Sequence, residues 1–180
     1  MSGHRVSFTY LSQEDLLQAG SLDIRMAMEV AEKAMLAFEA HSILFPEKIV
    51  QIFDQASQER INCLPATLLD EQVCGVKWVS VFPANPVRYG VQNLSAILIL
   101  SEIEKGFPIA VMDGTLASNM RVAAMGAIAA KHLARSNSEV IGFIGAGEQA
   151  KMHLLSMKVV RPELKECRVA ARTAEEEQQF

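Results

Sequence analysis

Val140-Ile-Gly-Phe-Ile-Gly145-Ala-Gly147-Glu-Gln-Ala150 is the stretch on which the reading of this chain turns. Val140–Ile144 has the length and branched apolar character of a buried strand, and the residues from Glu148 to Val160 continue as a helix. Between them stands G-x-G-x-x-A. In that setting Gly145 permits the tight turn, Gly147 lets a backbone approach a pyrophosphate, and Ala150 keeps the helix close to the strand. The helix N-terminus adds N–H donors and the positive end of its dipole. A second strand over Cys167–Ala171 and a helix starting at Thr173 complete the order that raises a lone glycine motif to a dinucleotide-binding expectation. A plain glycine turn is the competing reading.

The end of the second strand should choose the dinucleotide. An Asp or Glu there would accept the ribose 2′-hydroxyl of NAD. This chain reads Val169-Ala-Ala-Arg172-Thr173, with no carboxylate, and a guanidinium and a hydroxyl in its place. The pattern leans towards NADP, with NAD retained, since Arg172 can also stack on adenine.

A doubly wound domain covers its apolar sheet with several parallel strands, and only two are supplied here. Residues 139–180 therefore read as the first part of an incomplete α/β Rossmann domain, with a truncated chain expected. Ser136-Asn-Ser138 is the linker. Residues 1–138 read as a separate α+β domain. In it Ser12-Gln-Glu-Asp15 opens a short helix with a capping-box pattern, and Asp23 opens a longer amphipathic one. That helix carries Ile24, Met28, Ala31, Met35 and Phe38 and is expected to run to Phe45-Pro46. Five strands follow, over 48–53, 60–68, 73–82, 94–101 and 108–112, with a turn at Glu104-Lys-Gly106 and a longer loop over 83–90. A small-residue helix from Thr115 to Ala134 completes the domain.

Three cations stand out. Lys77 lies in Val73-Cys-Gly-Val-Lys-Trp-Val-Ser-Val-Phe82, where burial of an ammonium is costly unless an anion meets it. Alternation places it on one face with Gly75, Val79 and Val81, and Trp78 on the other with Val76 and Ser80. A ligand carboxylate and an internal ion pair both satisfy that position. Arg121 has no acidic neighbour one turn away on its helix, and its apolar surroundings argue against solvent exposure. Its planar fork suits a carboxylate or a phosphate. Lys48 follows the Phe45-Pro46 break and reads as solvated.

The 180 residues carry 17 Lys and Arg against 21 Asp and Glu, a net charge of −4, which excludes the basic footprint of a nucleic-acid binder. No apolar run is long enough for a bilayer span, and Met1-Ser-Gly-His-Arg-Val lacks a signal-peptide core. Three widely spaced cysteines and no C-x-x-C pair suit a reducing, cytoplasmic setting. The four histidines are scattered, so no metal site is expected, and no G-x-S-x-G elbow occurs.

Taken together, Lys77-Trp-Val-Ser-Val-Phe-Pro-Ala-Asn85, Gln92-Asn-Leu-Ser-Ala96, Met112-Asp-Gly-Thr115, Arg121-Val-Ala-Ala124 and Ile144-Gly-Ala-Gly-Glu-Gln-Ala150 resemble the ornithine cyclodeaminase/mu-crystallin family. The resemblance implies an N-terminal substrate-binding and dimerisation domain followed by a Rossmann domain, in a chain about twice this length. It implies NAD- or NADP-dependent oxidation or reduction at the α-carbon of an amino or imino acid, by a cyclodeaminase, amino-acid dehydrogenase or ketimine reductase working as a homodimer. The alternative within the family is an NADPH-dependent small-ligand-binding protein of mu-crystallin type without turnover. By motif position Lys77, Arg121 and Lys48 look like substrate-carboxylate contacts. Asn93, Thr115, Arg121, Gly145, Gly147, Glu148, Gln149, Arg172 and Thr173 look like cofactor contacts. Lys48 stands where the family has an arginine, and Asn62 where cyclodeaminases carry a glutamate. The aspartate that serves the family as acid–base group is expected beyond residue 180, so no catalytic residue is assigned within this chain.

Overall fold

The computed structural model describes residues 5–180, which form two compact units. The first comprises residues up to Ser21 with Leu36–Ala117, and the second Leu22–Met35 with Ser118–Phe180.

The first unit is built on a seven-stranded mixed sheet ordered β1-β7-β6-β5-β4-β2, with β3 also pairing with β4. Its strands are β1 (Thr9–Leu11), β2 (Ile43–Leu44), β3 (Ile49–Asp54), β4 (Glu59–Leu68), β5 (Val73–Val81), β6 (Leu94–Glu102) and β7 (Pro108–Asp113). The five longer strands coincide with the expected ones to within a residue or two. All neighbours are antiparallel except β1 and β7, which run parallel with Tyr10 opposite Val111. Period-two alternation divides the sheet into two unlike faces. Val79 and Ala96 oppose each other and are 5 % and 6 % exposed. The next pair, Trp78 and Ile97, points the other way and is 42 % and 50 % exposed.

Ser12 caps α1 (Gln13–Gln18) in the expected capping box, with Asp15 returning a carboxylate oxygen to the Ser12 amide at 2.8 Å. The long helix α2 (Ile24–Glu39) starts where expected, as Asp23 accepts from the amides of Arg25 and Met26. It ends earlier than Phe45-Pro46 suggests. His41 adopts a left-handed φ of 57°, and the Ser42 amide reaches back to the Ala37 carbonyl at 3.0 Å. That is a helix-terminating motif with histidine in the place usually held by glycine or asparagine, and it frees Ile43–Leu44 to pair with β4. The loop expected over 83–90 contains a further helix, α3 (Asn85–Tyr89), with Pro86 in its first turn and left-handed Gly90 at its end. The turn at Glu104–Gly106 is held by the Glu102 carboxylate, which accepts from the amides of Lys105 and Phe107.

The second unit carries α4 (Thr115–Leu133, of which Ser118 onward belongs here), β8 (Val140–Ile144), α5 (Glu148–Val160), β9 (Glu166–Ala170) and α6 (Ala174–Gln179). Small residues let α4 and α5 approach closely. A Cβ at Gly126 would sit 2.8 Å from the His153 ring, and the fully buried Ser156 hydroxyl donates to the Ala123 carbonyl at 3.0 Å. Met28, Ala124 and Ala127 form the local core, with Val159 and Val160 packed against it. Arg161 closes the C-terminal end of α4, donating to the carbonyls of Ala130 and Ala134 at 2.8 Å each. Among the described residues no helix is long and apolar enough to cross a membrane, and no cluster of His, Cys, Asp and Glu is arranged to hold a metal.

Candidate functional site

The expected site residues fall into two sets, one in each unit. In the first unit, Lys77 sits mid-β5 opposite Leu64, on the face that buries Val79. Asn62 occupies the diagonal position of that face, opposite Val79 on β4. Its Oδ1 is buried and meets no hydrogen-bond donor among the described residues. The inner face thus carries a cation on β5 and a neutral acceptor on β4.

Thr115 is also inward. Its hydroxyl accepts from the Ala96 amide at 3.0 Å, while Asp113 Oδ1 accepts from the amides of Thr115 and Leu116 and starts α4. Asn93, exposed at the entry to β6, accepts from the Phe82 amide through its backbone carbonyl at 2.8 Å. Lys48 is exposed just ahead of β3.

In the second unit, β8 and β9 run parallel with Ile144 opposite Ala170, and the Gly145 amide donates to the Ala170 carbonyl at 2.7 Å. This bond seats the glycine turn at the carboxyl end of the strand pair. Gly145 has a φ of 102°, a region that L side chains rarely adopt, whereas Gly147 has φ −84° and ψ −177°. A Cβ at either glycine would meet nothing within 4 Å, so the cradle is open. Gly147 stands at the N-cap position of the thirteen-residue helix α5, and among the described residues no side chain caps its first amides. Glu148 pairs with Lys151 at 3.0 Å, and Gln149 donates to Asn119 Oδ1 at 2.7 Å.

Arg121 departs from expectation. Its side chain is exposed and makes no ion pair among the described residues. The buried stripe of α4 runs through Ser118, Met120, Ala123, Ala124, Ala127 and Ile128, and Arg121 lies on the i,i+4 line of exposed Ala117 and Met125. Its apolar neighbours thus do not shield it. Arg172 and Thr173 follow β9 directly. Arg172 donates through Nη2 to Glu176 Oε1 at 2.8 Å and through its backbone amide to Oε2 at 3.2 Å, and Thr173 caps α6. The Arg172 guanidinium beside Glu176 holds that carboxyl below its ordinary range. Nothing in the local sequence pattern announced this pairing beyond the i,i+4 spacing of the two residues.

A mixed, mostly antiparallel sheet with a lysine on its inner face, and a parallel strand pair joined through an open glycine turn and a helix, define the class: an α+β unit and a β-α-β unit of dinucleotide-binding type. The chain belongs to the ornithine cyclodeaminase/mu-crystallin family, whose sequence profile matches residues 13–180. The alanine dehydrogenase of Archaeoglobus fulgidus is 38 % identical over 150 residues, which make up 83 % of this chain and 44 % of that protein. A solved archaeal alanine dehydrogenase dimer with bound NAD aligns with a TM-score of 0.86 at 33 % identity, covering 96 % of this chain and 51 % of that one. The Δ1-pyrroline-2-carboxylate reductase of Thermococcus litoralis, solved with NADH and L-proline, aligns with a TM-score of 0.88 at 29 % identity, covering 95 % and 51 %. The chain spans about half the length of the curated relatives it matches.

Proposed function

We propose that this chain is the N-terminal portion of an NAD(P)-dependent oxidoreductase or cyclodeaminase acting at the α-carbon of an amino or imino acid. Residues 1–138 would form the substrate-binding and dimerisation domain, and 139–180 would open the Rossmann domain. The observation that carries the reading is the glycine turn between β8 and α5. Its left-handed Gly145, its open Gly147 and its uncapped helix N-terminus fit the pyrophosphate of a dinucleotide. The similar proteins include an NAD-bound alanine dehydrogenase and a Δ1-pyrroline-2-carboxylate reductase solved with NADH, which supports the same cofactor class here.

When bound, the nicotinamide supplies or accepts a hydride. The chain's own residues bind and orient. Lys77, on the inner face of the sheet, takes the substrate α-carboxylate, and the exposed Arg121 fork serves the carboxylate or the cofactor side. Asn93, Thr115, Glu148, Gln149, Arg172 and Thr173 are the remaining cofactor contacts of this reading, and Lys48 is a further substrate contact. The neutral Asn62 acceptor favours substrates whose reacting nitrogen is their only amine or imine, such as alanine or a cyclic imino acid, over diamines. The exposed Trp78–Ile97 face supports a homodimer, in which a second copy covers that apolar surface. Sedimentation at micromolar concentration reading a monomer would sink that part.

The test is to offer the full-length protein NAD or NADP with L-alanine, L-proline, Δ1-pyrroline-2-carboxylate and L-ornithine while following nicotinamide absorbance. Turnover is expected with at least one of them. Lys77→Met should raise KM about tenfold or more, the loss of a charge-assisted hydrogen bond worth about 1.5–3 kcal/mol. Saturable dinucleotide binding with no hydride transfer would favour the ligand-binding alternative. No dinucleotide binding at all would refute both.

A further inference from the structure

Sequence reading places Arg172 and Thr173 as donors for a ribose 2′-phosphate. The structure shows that an anion already sits there. The Glu176 carboxylate accepts from Arg172 twice, from guanidinium Nη2 at 2.8 Å and from the backbone amide at 3.2 Å. The Glu176 amide donates to the Thr173 hydroxyl at 3.2 Å, which ties Glu176 to the residue that follows Arg172. This cluster lies two residues beyond Ala170, whose carbonyl is bonded to the Gly145 amide of the glycine turn. The carboxyl end of the second strand is where an acidic residue meets the adenosine ribose in dinucleotide-binding units. β9 carries none at that end, and α6 delivers two: Glu176, which is held on Arg172, and Glu177, whose carboxylate accepts from the Ala171 amide at 3.0 Å.

We propose that Glu176 sets the choice between the two dinucleotides: its carboxylate, seated on Arg172, accepts the ribose 2′-hydroxyl of NAD and repels the 2′-phosphate of NADP. This rests on the glycine turn binding a dinucleotide, and it reverses the lean towards NADP read from Arg172 alone. A 2′-phosphate brings close to two negative charges to a position where Glu176 adds a third. Glu175 is different, because its carboxylate accepts from Gln179 and touches neither Arg172 nor Thr173.

The experiment is isothermal titration of the full-length protein with NAD, NADP, 5′-AMP and 2′,5′-ADP. The wild type should bind NAD about tenfold or more tightly than NADP, and 5′-AMP more tightly than 2′,5′-ADP. Glu176→Gln should shrink the NAD-to-NADP ratio about tenfold, close contact between like charges in water being worth roughly that factor. Glu175→Gln should change it by about twofold or less, since its charge is one turn-position removed from the cradle. Adding Arg172→Gln to Glu176→Gln should erase the NADP gain, because the freed donor is then missing. Equal or tighter binding of NADP and 2′,5′-ADP by the wild type would overturn the proposal without touching the glycine turn, and this readout needs no variant to fold. An unchanged ratio in a folded Glu176→Gln would overturn it as well. If NAD and NADP both fail to bind, the underlying dinucleotide reading falls, and this inference with it.

Discussion

Thr115→Val separates a structural role for this hydroxyl from a cofactor-binding one. The side chain is 5 % exposed and its Oγ1 is the acceptor of the Ala96 amide at 3.0 Å. β7 stops pairing at Asp113, opposite Ile97, so Ala96 lies one residue past the last strand partner. The turn into α4 replaces the missing partner twice over, because the Gly114 amide also donates to the Ala96 carbonyl at 2.8 Å. Valine matches threonine in shape and leaves no cavity, but it strands a buried N–H. That costs about 1–3 kcal/mol, a sizeable share of a stability of roughly 5–15 kcal/mol. With a urea m-value of about 2 kcal/mol/M, the unfolding midpoint should fall by about 0.5–1.5 M. Thr115→Ser keeps the acceptor and should recover most of the loss. Urea unfolding followed by far-UV circular dichroism reads the difference. A Thr115→Val midpoint within about 0.1 M of wild type would show that the hydroxyl does not hold the amide, since an orphaned buried donor cannot be that cheap. A loss of dinucleotide affinity in Thr115→Val with no loss of stability would place the hydroxyl on the cofactor instead.

The two glycines of the turn should respond differently to alanine. Gly145→Ala forces a side chain into φ 102° and should cost about 1–3 kcal/mol of stability, seen as a lower melting temperature. Gly147→Ala has ordinary backbone angles and open space, so it should leave melting unchanged while weakening NAD binding about tenfold or more, since a methyl at the motif's second glycine would hinder the close approach of a pyrophosphate to the backbone. Equal affinity in Gly147→Ala and wild type would contradict that placement. Acid should act through Glu32, whose carboxyl is held below its ordinary value of 4.5 by Lys131 first and His132 second. A depressed folded value gives stability that is complete above pH 4.5 and is lost as pH falls below it towards the folded value. The melting-temperature gap between wild type and Glu32→Gln should therefore shrink on acidification through that range, and a gap that widens would refute the pairing.

Much of the fold was legible because its signals are local. Alternation marked the five longer strands of the sheet, Ser12 and Asp23 announced two helix starts, and the spacing of two glycines identified the turn after β8. Each depends on residues within a few positions of one another, where sterics and backbone hydrogen bonding act directly. Tertiary structure decided what depends on distant partners. β1 is three residues long and exists as a strand only by pairing with β7, a hundred residues away. β2 appears because His41, not Pro46, stops α2. The α4 terminus is closed by Arg161, some thirty positions downstream of the carbonyls it meets.

The candidate site divides along the same line. Strand parity alone placed Lys77 on one face of β5 with Val79, which the structure shows to be the buried face, and glycine spacing placed Gly145 in the tight turn. The exposure of Arg121 was not readable from its apolar neighbours, because which helical stripe is buried depends on what packs against it. The Arg172–Glu176 pair is a local contact between residues four apart, and its spacing was readable in the sequence. Sequence determined which chemical groups this protein can offer to an anionic ligand, since that follows from residue type and local backbone. Only the tertiary structure decided which of those groups are already engaged, because a charge pairs with whatever the fold brings within hydrogen-bond reach.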